Sequence, residues 1–516
     1  MQETMAGTSS NNKRIAKNTL LLYARMLFMM AVSLYTSRVV LNTLGITDYG
    51  VYNVVGGVIT MLGFLTSSMG AASSRYITYG IGKGDMATTK QTFGNIMSIH
   101  FILAGVILLF GETIGLWFVL EKLQIPTERQ AAALWVYQFS ILTSMLSVVS
   151  VPYNAAIIAH ERMKAFAYMG IVDAVLKLLI VYLLLVIPYD KLKVYALLLF
   201  LIQVFDRIVY GIYCTRHFEE TRGRCTLSGK LFKEILGFAV WTMNGHLAVI
   251  GYTQGINVLL NMFFGPAVNA ARGVAVQVQS VVQSFCSNFQ IALNPQLTKS
   301  YAQNNLQHMR KLLKVSSKFS FFMLLFISMP LMLEAPLVLR WWLGIVPEHT
   351  VNFLRLILCS SLLVALANPL IVSVHATGRI KRFQAIEGTM LLCIVPIAYL
   401  MLKLFDIAPE YVFCVHIVVE VCTQYARMRM VLPMINLRIA DYCNEVILPI
   451  LKVVVIAPIV PLTVYFLTNQ SVTTFFLICT VCIVSVICSV YFAGCTHDER
   501  AFAKEKLSIL ISKIRK

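Results

Sequence analysis

The sequence predicts an all-α polytopic membrane protein of about fourteen transmembrane helices, built as two six-helix lobes related by a parallel internal repeat plus two C-terminal helices. Three observations carry this reading. Of 516 residues, 58% are hydrophobic and only 13% charged, with a mean hydropathy of +0.74, which leaves too little charge to cover a water-facing surface. Apolar stretches of about twenty residues, the length that crosses a bilayer, recur from end to end. One segment occurs twice: PYNAAIIAHERMKAF at 152–166 and PLIVSVHATGRIKRF at 369–383 are offset by 217 residues and share Pro152/Pro369, Ala159/Ala376, Arg162/Arg379, Lys164/Lys381 and Phe166/Phe383. In each copy a proline interrupts an apolar helix that runs about two more turns into a short basic turn, from which the next apolar helix starts. A weaker correspondence, at offset 220, lays Leu44-Gly45 over Phe264-Gly265. Two similar halves in one chain is how transporters with internal repeats are built.

In chain order the apolar spans fall at about 18–41, 50–78, 93–118, 131–159, 166–187 and 194–214, then 235–261, 267–297, 315–341, 350–377, 383–405, 409–426, 446–467 and 472–494. Several exceed the ~20 residues a crossing needs and so imply tilt or extension beyond the bilayer. The expected division is a tail at 1–17, a first lobe at 18–214, a basic linker at 215–234 and a second lobe at 235–426. The last two spans with their preceding loop occupy 427–494, and a basic tail 495–516. The first fourteen residues are polar, and no short apolar core with a small-residue cleavage site follows, so no removable signal peptide is expected.

Orientation follows from the loops. The formal charge of +19 would suggest nucleic acid in a soluble chain, but here the basic residues lie between apolar spans and read as topology signals. The N-terminal tail, 79–92, 160–165, 215–234, 298–318, 378–382, 427–441 and the C-terminal tail hold 29 Lys and Arg. The opposite set holds six: Lys122, Arg129, Lys191, Lys193, Arg340 and Lys403. Both termini are therefore expected in the cytoplasm, and the two halves share one orientation. Loops are short on both sides, which argues against a membrane glycan polymerase or ligase, whose catalytic acids or histidines sit on sizeable extramembrane segments. The twelve cysteines start at Cys214 and lie mostly in apolar runs without ligand-like spacing, so they read as small core residues and no metal site is expected.

Polar residues inside spans should point to a bundle interior or an aqueous cavity. In the eighth span Asn269, Arg272, Gln279, Gln283, Ser287, Gln290 and Asn294 share one face at 100 degrees per residue. The seventh carries Thr242, His246, Thr253, Asn257 and Asn261, the first Asn18, Arg25, Thr36 and Thr43, and the second Asn53, Thr60, Ser67, Ser68 and Arg75. The expected arrangement is a hydrophilic cavity lined by these four spans, although Ser, Thr, Asn and Gln also commonly hydrogen-bond neighbouring helices. The candidate substrate-binding residues are Arg25, Arg272, Arg75, Asn53, His246, Asn257, Gln279, Gln283 and Gln290. Asp173 and Lys177, one turn apart, lie at the depth of Asp206 and Arg207, and the four read as a neutralising network in the first lobe or an ion-coupling site. Arg162, Lys164, Arg379 and Lys381 are expected to anchor an inner gate.

The opening NTLLLYARMLFMMAVSLYTSRVVLNTLGITDYGVYNVVGG at 18–57, with the fourteen spans and the repeat, resembles the multidrug/oligosaccharidyl-lipid/polysaccharide (MOP) exporter superfamily, and within it the O-antigen and polysaccharide-repeat flippases. The resemblance implies a V-shaped pair of bundles, alternating access, and transfer of an undecaprenyl-pyrophosphate-linked oligosaccharide from the cytoplasmic to the periplasmic leaflet of a bacterial inner membrane. In the related lipid II flippases arginines on helices 1, 2 and 8 line the cavity, and Arg25, Arg75 and Arg272 lie on those spans here. Those proteins also use helices 13 and 14 as a lipid-facing groove. No cofactor is expected, and H+, Na+ or the membrane potential is the candidate drive. The expected partners are the lipid-linked glycan, the bilayer, and a polysaccharide polymerase and glycosyltransferases. The alternative in the same superfamily is a cation-coupled multidrug exporter, which should place carboxylates in the first-lobe cavity, whereas the first span holds arginines and no Asp or Glu.

Overall fold

The computed structural model describes residues 20–504, apart from scattered positions between 34 and 62 and apart from 122–124, 224, 344–345, 406, 469–470 and 502–503. Among the described residues every regular element is helical. The helices are α1 (Leu20–Ser33), α2 (Gly63–Lys83), α3 (Met86–Glu121), α4 (Thr127–Ala159), α5 (Met163–Val186), α6 (Lys191–His217) and α7 (Gly229–Phe264). They continue with α8 (Pro266–Ala302), α9 (Leu306–Leu333), α10 (Thr350–Thr377), α11 (Lys381–Phe405), α12 (Tyr411–Val431), α13 (Ile439–Leu467) and α14 (Val472–Gly494). These fourteen occupy the fourteen expected positions, and the protein is a multi-pass membrane protein. Nine of them are long and apolar enough to cross a bilayer by composition alone. Among those that are not, α8 carries the long polar face, and α6 and α12 carry charges.

The internal repeat is visible in the backbone. Glu161 and Gly378, at equivalent positions, both adopt the left-handed conformation, with φ of 57° and 76°. Their amides donate to equivalent carbonyls, Glu161 N to Ile158 O at 2.9 Å and Gly378 N to His375 O at 3.0 Å. Each is the left-handed residue that stops a helix and re-aims the chain. Two residues further on, Met163 and Ile380 are buried in both copies. Gly265, also left-handed at φ 82°, ends α7, and Pro266 opens α8, where its fixed φ suits the first helical turn.

The compact units do not follow the chain halves. Unit 1 comprises the chain up to Leu247 together with Ile291–Asn305 and His375–Ala385; unit 2 comprises Ala248–Gln290, Leu306–Val374 and Ile386 onward. In unit 1, α4 is the central helix and packs on α2, α3 and α6. Its apolar cluster runs from Met69, Phe93 and Ile96 through Tyr153 and Cys214 to Ile380, so the second repeat turn is part of this core. In unit 2, α14 packs on α9 and α13. Lys318, only 2% exposed, bonds Glu499 at 2.6 Å, and Lys314 bonds Glu445 at 2.5 Å. Leu451, Val455, Phe466, Phe476, Ile487 and Phe492 face outward from α13 and α14, an apolar surface suited to lipid.

A polar clasp lies at the opposite end of unit 1 from the repeat turns. Arg129 binds Asp48 through both guanidinium arms, and Asp190 at 3.1 Å. Asp190 also caps α6 by accepting from Leu192 N at 3.1 Å. Partial burial works against the Asp190 carboxylate, but the Arg129 guanidinium outweighs it and holds this carboxyl below its ordinary range. A carboxyl depressed in the folded state stabilises the fold above its unfolded pKa of about 4 and loses that contribution as pH falls through the folded value. Thermal unfolding scans should therefore show a midpoint that drops below about pH 4, with a smaller drop in Arg129→Ala. An unchanged acid profile in the variant would remove the clasp from the acid response.

Candidate functional site

The two repeat turns are held by crosswise contacts within unit 1. Arg75 of α2 donates from Nε to His375 O at 2.5 Å, and its guanidinium lies 4.4 Å from the Tyr76 ring centroid and 5.0 Å from that of Phe238. It also lies directly under Gly378, where an added Cβ would come within 3.2 Å of the guanidinium carbon. The other turn mirrors this with reversed charge. Glu161, 7% exposed, accepts from Lys299 Nζ at 2.8 Å and from Gln296 Nε2 at 2.7 Å, both on α8. A helix of each sequence half therefore grips the turn of the other half. Around Gly378, the residues Arg75, Glu234, Trp241, Arg379 and Lys381 line a cavity of about 330 Å³.

The four basic turn residues expected to anchor a gate, Arg162, Lys164, Arg379 and Lys381, are exposed; Lys381 lies 5.4 Å from the Trp241 ring centroid. The side chains that hold the turns are Glu161, Gln296, Lys299 and Arg75. The first three went unnoticed in the sequence, because Glu161 pairs with a glycine in the repeat and so leaves no identity to find. Arg75, expected to line a cavity, sits at this contact and borders the cavity around Gly378. His246 lies in the same unit, with His375 among its electrostatic neighbours. Asn53 lies outside the described residues.

Arg25 of α1 packs on α5, 4.2 Å from the Phe166 ring centroid and against Gly170, where a Cβ would fall within 2.9 Å of the guanidinium carbon. Its Nε is buried without a hydrogen-bond partner. One turn on, Asp173 pairs with Lys177 at 2.8 Å, and the Asp206 carboxyl reaches Asp173. Arg207 stays apart from this group and donates to Tyr153 Oη at 3.3 Å. The expected four-charge network is therefore a three-residue cluster plus one arginine on a tyrosine.

In unit 2, Arg272 of α8 is 9% exposed. It binds Asn257 Oδ1 and donates to Thr253 O at 3.1 Å, which fixes it to α7, while its Nε is buried without a partner. Asn257 is thus the neighbour that orients the arginine. Gln290 has a different task. Pro369 inside α10 cannot donate to the carbonyl four residues back, Ala365 O, and Gln290 Nε2 donates to that oxygen at 3.1 Å and to Ser320 Oγ at 3.1 Å. Its amide repairs the proline defect and is 4% exposed. Gln279 and Gln283 instead border a cavity of about 390 Å³ on α8, with Ser280, Ser284, Ser287 and Asn288. Deeper in unit 2, Arg427 donates to Glu387 Oε1 at 2.7 Å and Glu420 Oε1 at 2.5 Å. Sequence alone left Glu387 and Glu420 without a role. Among the described residues no cluster of His, Cys, Asp and Glu could hold a metal ion.

A family profile described as Polysaccharide biosynthesis protein matches residues 15–301. No curated protein matches the sequence. Among solved structures, the chain is similar to an outward-facing multidrug resistance MATE family transporter of the MOP superfamily, at 15% identity over 82% of this chain and 96% of that one, with a TM-score of 0.69. It is similar to a MOP superfamily transporter from Pyrococcus furiosus at 14% identity, 82% and 96% coverage and a TM-score of 0.68. A MATE transporter of Vibrio cholerae in its bent form gives 16% identity, 84% and 98% coverage and a TM-score of 0.66. At these identities the likeness establishes the fold.

Proposed function

We propose that this chain, which belongs to the polysaccharide biosynthesis protein family, is a flippase that carries a polyprenyl-pyrophosphate-linked oligosaccharide from the cytoplasmic to the periplasmic leaflet by alternating access. The observation that supports it most is the chemistry of α8. The helix has no Asp or Glu, presents a face of amides and hydroxyls, and holds Arg272 in a fixed orientation with one N–H unmatched. A pyrophosphate diester offers about two negative charges, and a guanidinium recognises phosphate with planar, paired donors that an ammonium lacks. Arg25 keeps an unmatched Nε of the same kind in unit 1. An inside-negative potential favours outward movement of the anion by about 2.3 kcal/mol per charge per 100 mV. In this reading the membrane is the bacterial inner membrane and both termini are cytoplasmic. A polysaccharide polymerase and glycosyltransferases act on the same glycan, and H+, Na+ or the potential drives the cycle.

A second reading, cation-coupled drug export, draws on the facing carboxyls of Asp173 and Asp206 and on the multidrug transporter that shares the fold. Complementation separates the two. In a strain lacking its own flippase, the wild type should restore surface glycan, and Arg25→Ala or Arg272→Ala should reduce export about ten- to a hundredfold, the effect of losing a hydrogen bond to a charged group. Membrane abundance should stay near normal and Arg→Lys should rescue partly. Full export by a stably expressed double alanine variant would remove both arginines from the mechanism; drug resistance without glycan export would favour the second reading.

A further inference from the structure

The polar clasp of unit 1 has a counterpart in unit 2. His349, the residue before α10, meets Glu410, the residue before α12, with Nδ1 of the ring 2.7 Å from Oε1 of the carboxylate. Asn352 Nδ2 donates to the same oxygen at 3.2 Å. In unit 1, Arg129 and Asp190 hold the same two places, before the α-helical part of α4 and before α6, and pair at 3.1 Å. Arg129 and His349 are 220 residues apart in the sequence, and so are Asp190 and Glu410. That offset also relates Gly45 to Gly265. The repeat has therefore kept one ion pair in both copies while changing both of its members.

The change alters what the pair responds to. A guanidinium keeps its charge at any pH a cell meets, whereas an imidazole is charged in mild acid and neutral in mild base. A charged ring adds attraction between opposite charges to the hydrogen bond with Glu410; a neutral ring keeps the hydrogen bond alone. Among the described residues no other charge competes for this ring. Glu348 beside it is exposed, and so is Arg340. Arg355 on α10 donates to Met332 O at 2.8 Å, and Lys403 on α11 is exposed, 5.7 Å from the Tyr399 ring centroid. Asp406 lies outside the described residues.

The surroundings carry the charge of the ring into the start of a helix. His349 is left-handed, with φ of 67°, a conformation that histidine tolerates better than most side chains. Its carbonyl accepts the first helical bond of α10, from Phe353 N at 2.9 Å. The imidazole packs on the Phe353 ring with 5.8 Å between centroids, and Phe353, fully buried, lies 4.8 Å from the Phe413 ring of α12. The ion pair thus fixes the residue from which α10 starts and ties it to α12 beside an apolar contact.

We propose that this clasp is a pH-operated latch, tight in mild acid, when a charged His349 holds Glu410, and looser in mild base, while the Arg129 clasp of unit 1 stays shut at both. The latch goes beyond the flippase reading and does not depend on it. In the topology expected from the basic loops, it registers acidity on the periplasmic side.

The test is hydrogen–deuterium exchange of the full chain in lipid nanodiscs at about pH 5.5 and about pH 8, on either side of the imidazole titration, with each amide rate divided by its intrinsic rate at that pH. Protection of Phe353, Leu354 and Arg355 in the wild type should be about two- to fivefold higher in acid, the effect of a partly exposed ion pair. Ala133 and Leu134 of α4 should show no such ratio. His349→Asn places an amide Nδ2 where the ring has Nδ1 and suits the left-handed backbone, so it should keep the fold and show the wild-type alkaline protection at both pH values. Glu410→Gln should also lose most of the ratio, and His349→Arg should be flat, as the clasp of unit 1 is. A wild-type ratio near one, the same ratio in α4, or a full ratio retained by His349→Asn would overturn the latch. If His349→Asn fails to fold, the wild-type comparison of α10 with α4 and the Glu410→Gln ratio decide.

Discussion

Arg427→Met should destabilise the protein by about 3–5 kcal/mol, the cost of leaving buried charge without its partner. Arg427 is 3% exposed, Glu387 5% and Glu420 1%. The guanidinium spans both carboxylates with separate nitrogens, and its Nη1 also meets Gln424 Oε1 at 3.2 Å. Without it, two buried carboxylates face each other in the protein interior, where neither water nor another cation of this cluster can answer them. Arg427→Lys should recover only part of the loss, since one ammonium cannot reproduce the fork. The triple variant Arg427→Met Glu387→Gln Glu420→Gln should recover most of it, because removing a whole buried cluster costs far less than breaking it. Thermal unfolding of the purified protein at neutral pH reads all three, and a wild-type melting point for Arg427→Met would show that the cluster contributes nothing.

The same cluster shows what the sequence can and cannot reveal. Glu387 and Glu420 are conspicuous as charges in apolar helices, but Arg427 reads in the sequence as the first basic residue of the 427–441 loop, and Glu387 and Arg427 are 40 residues apart, so nothing local says that they meet. Depth and helix face follow from the rise and turn of a helix; the partner across the interface does not. The fourteen helices were therefore legible, because length and apolarity are local properties. The polar face of α8 was half legible: its alignment follows from the spacing, but the partners of its side chains, Ser361 Oγ for Gln279 and carbonyls of the same helix for Ser280 and Ser284, do not. Gln290 looked like its neighbours and turned out to serve Ala365 O, a carbonyl exposed by Pro369, which is 79 residues further along the chain. The repeat turns were legible in part. Their shared arginines and lysines are exposed, while the side chains that hold them differ between the copies, a glycine over Arg75 in one and Glu161 under Lys299 in the other. A repeat conserves the backbone turn, and each copy meets its own neighbour with its own chemistry.

That asymmetry leads to the prediction that most directly tests what holds the second repeat turn. Gly378→Val should uncouple the second repeat turn from α2. Its φ of 76° costs a β-branched residue about 1–2 kcal/mol or more, and a side chain there occupies the place of the Arg75 guanidinium. Arg75 must then leave His375 O and its stack on Phe238. Gly378→Ala carries the same clash with a smaller backbone cost and should fall between. The mirror substitution, Glu161→Gly, should relieve left-handed strain of about 1 kcal/mol but lose the bonds to Lys299 and Gln296, so its net effect on stability should be smaller than that of Gly378→Val. The protein carries its own reporter. Cys214 is fully buried and belongs to the apolar cluster that includes Ile380, two residues from the substituted glycine. Maleimide labelling of Cys214, resolved from the other cysteines by peptide mass spectrometry, should be slow in the wild type, fastest in Gly378→Val and intermediate in Gly378→Ala. This readout does not require the substrate to be known. If Gly378→Val protects Cys214 as well as the wild type does, the contact beneath Gly378 is ordinary packing and does not hold the turn in place.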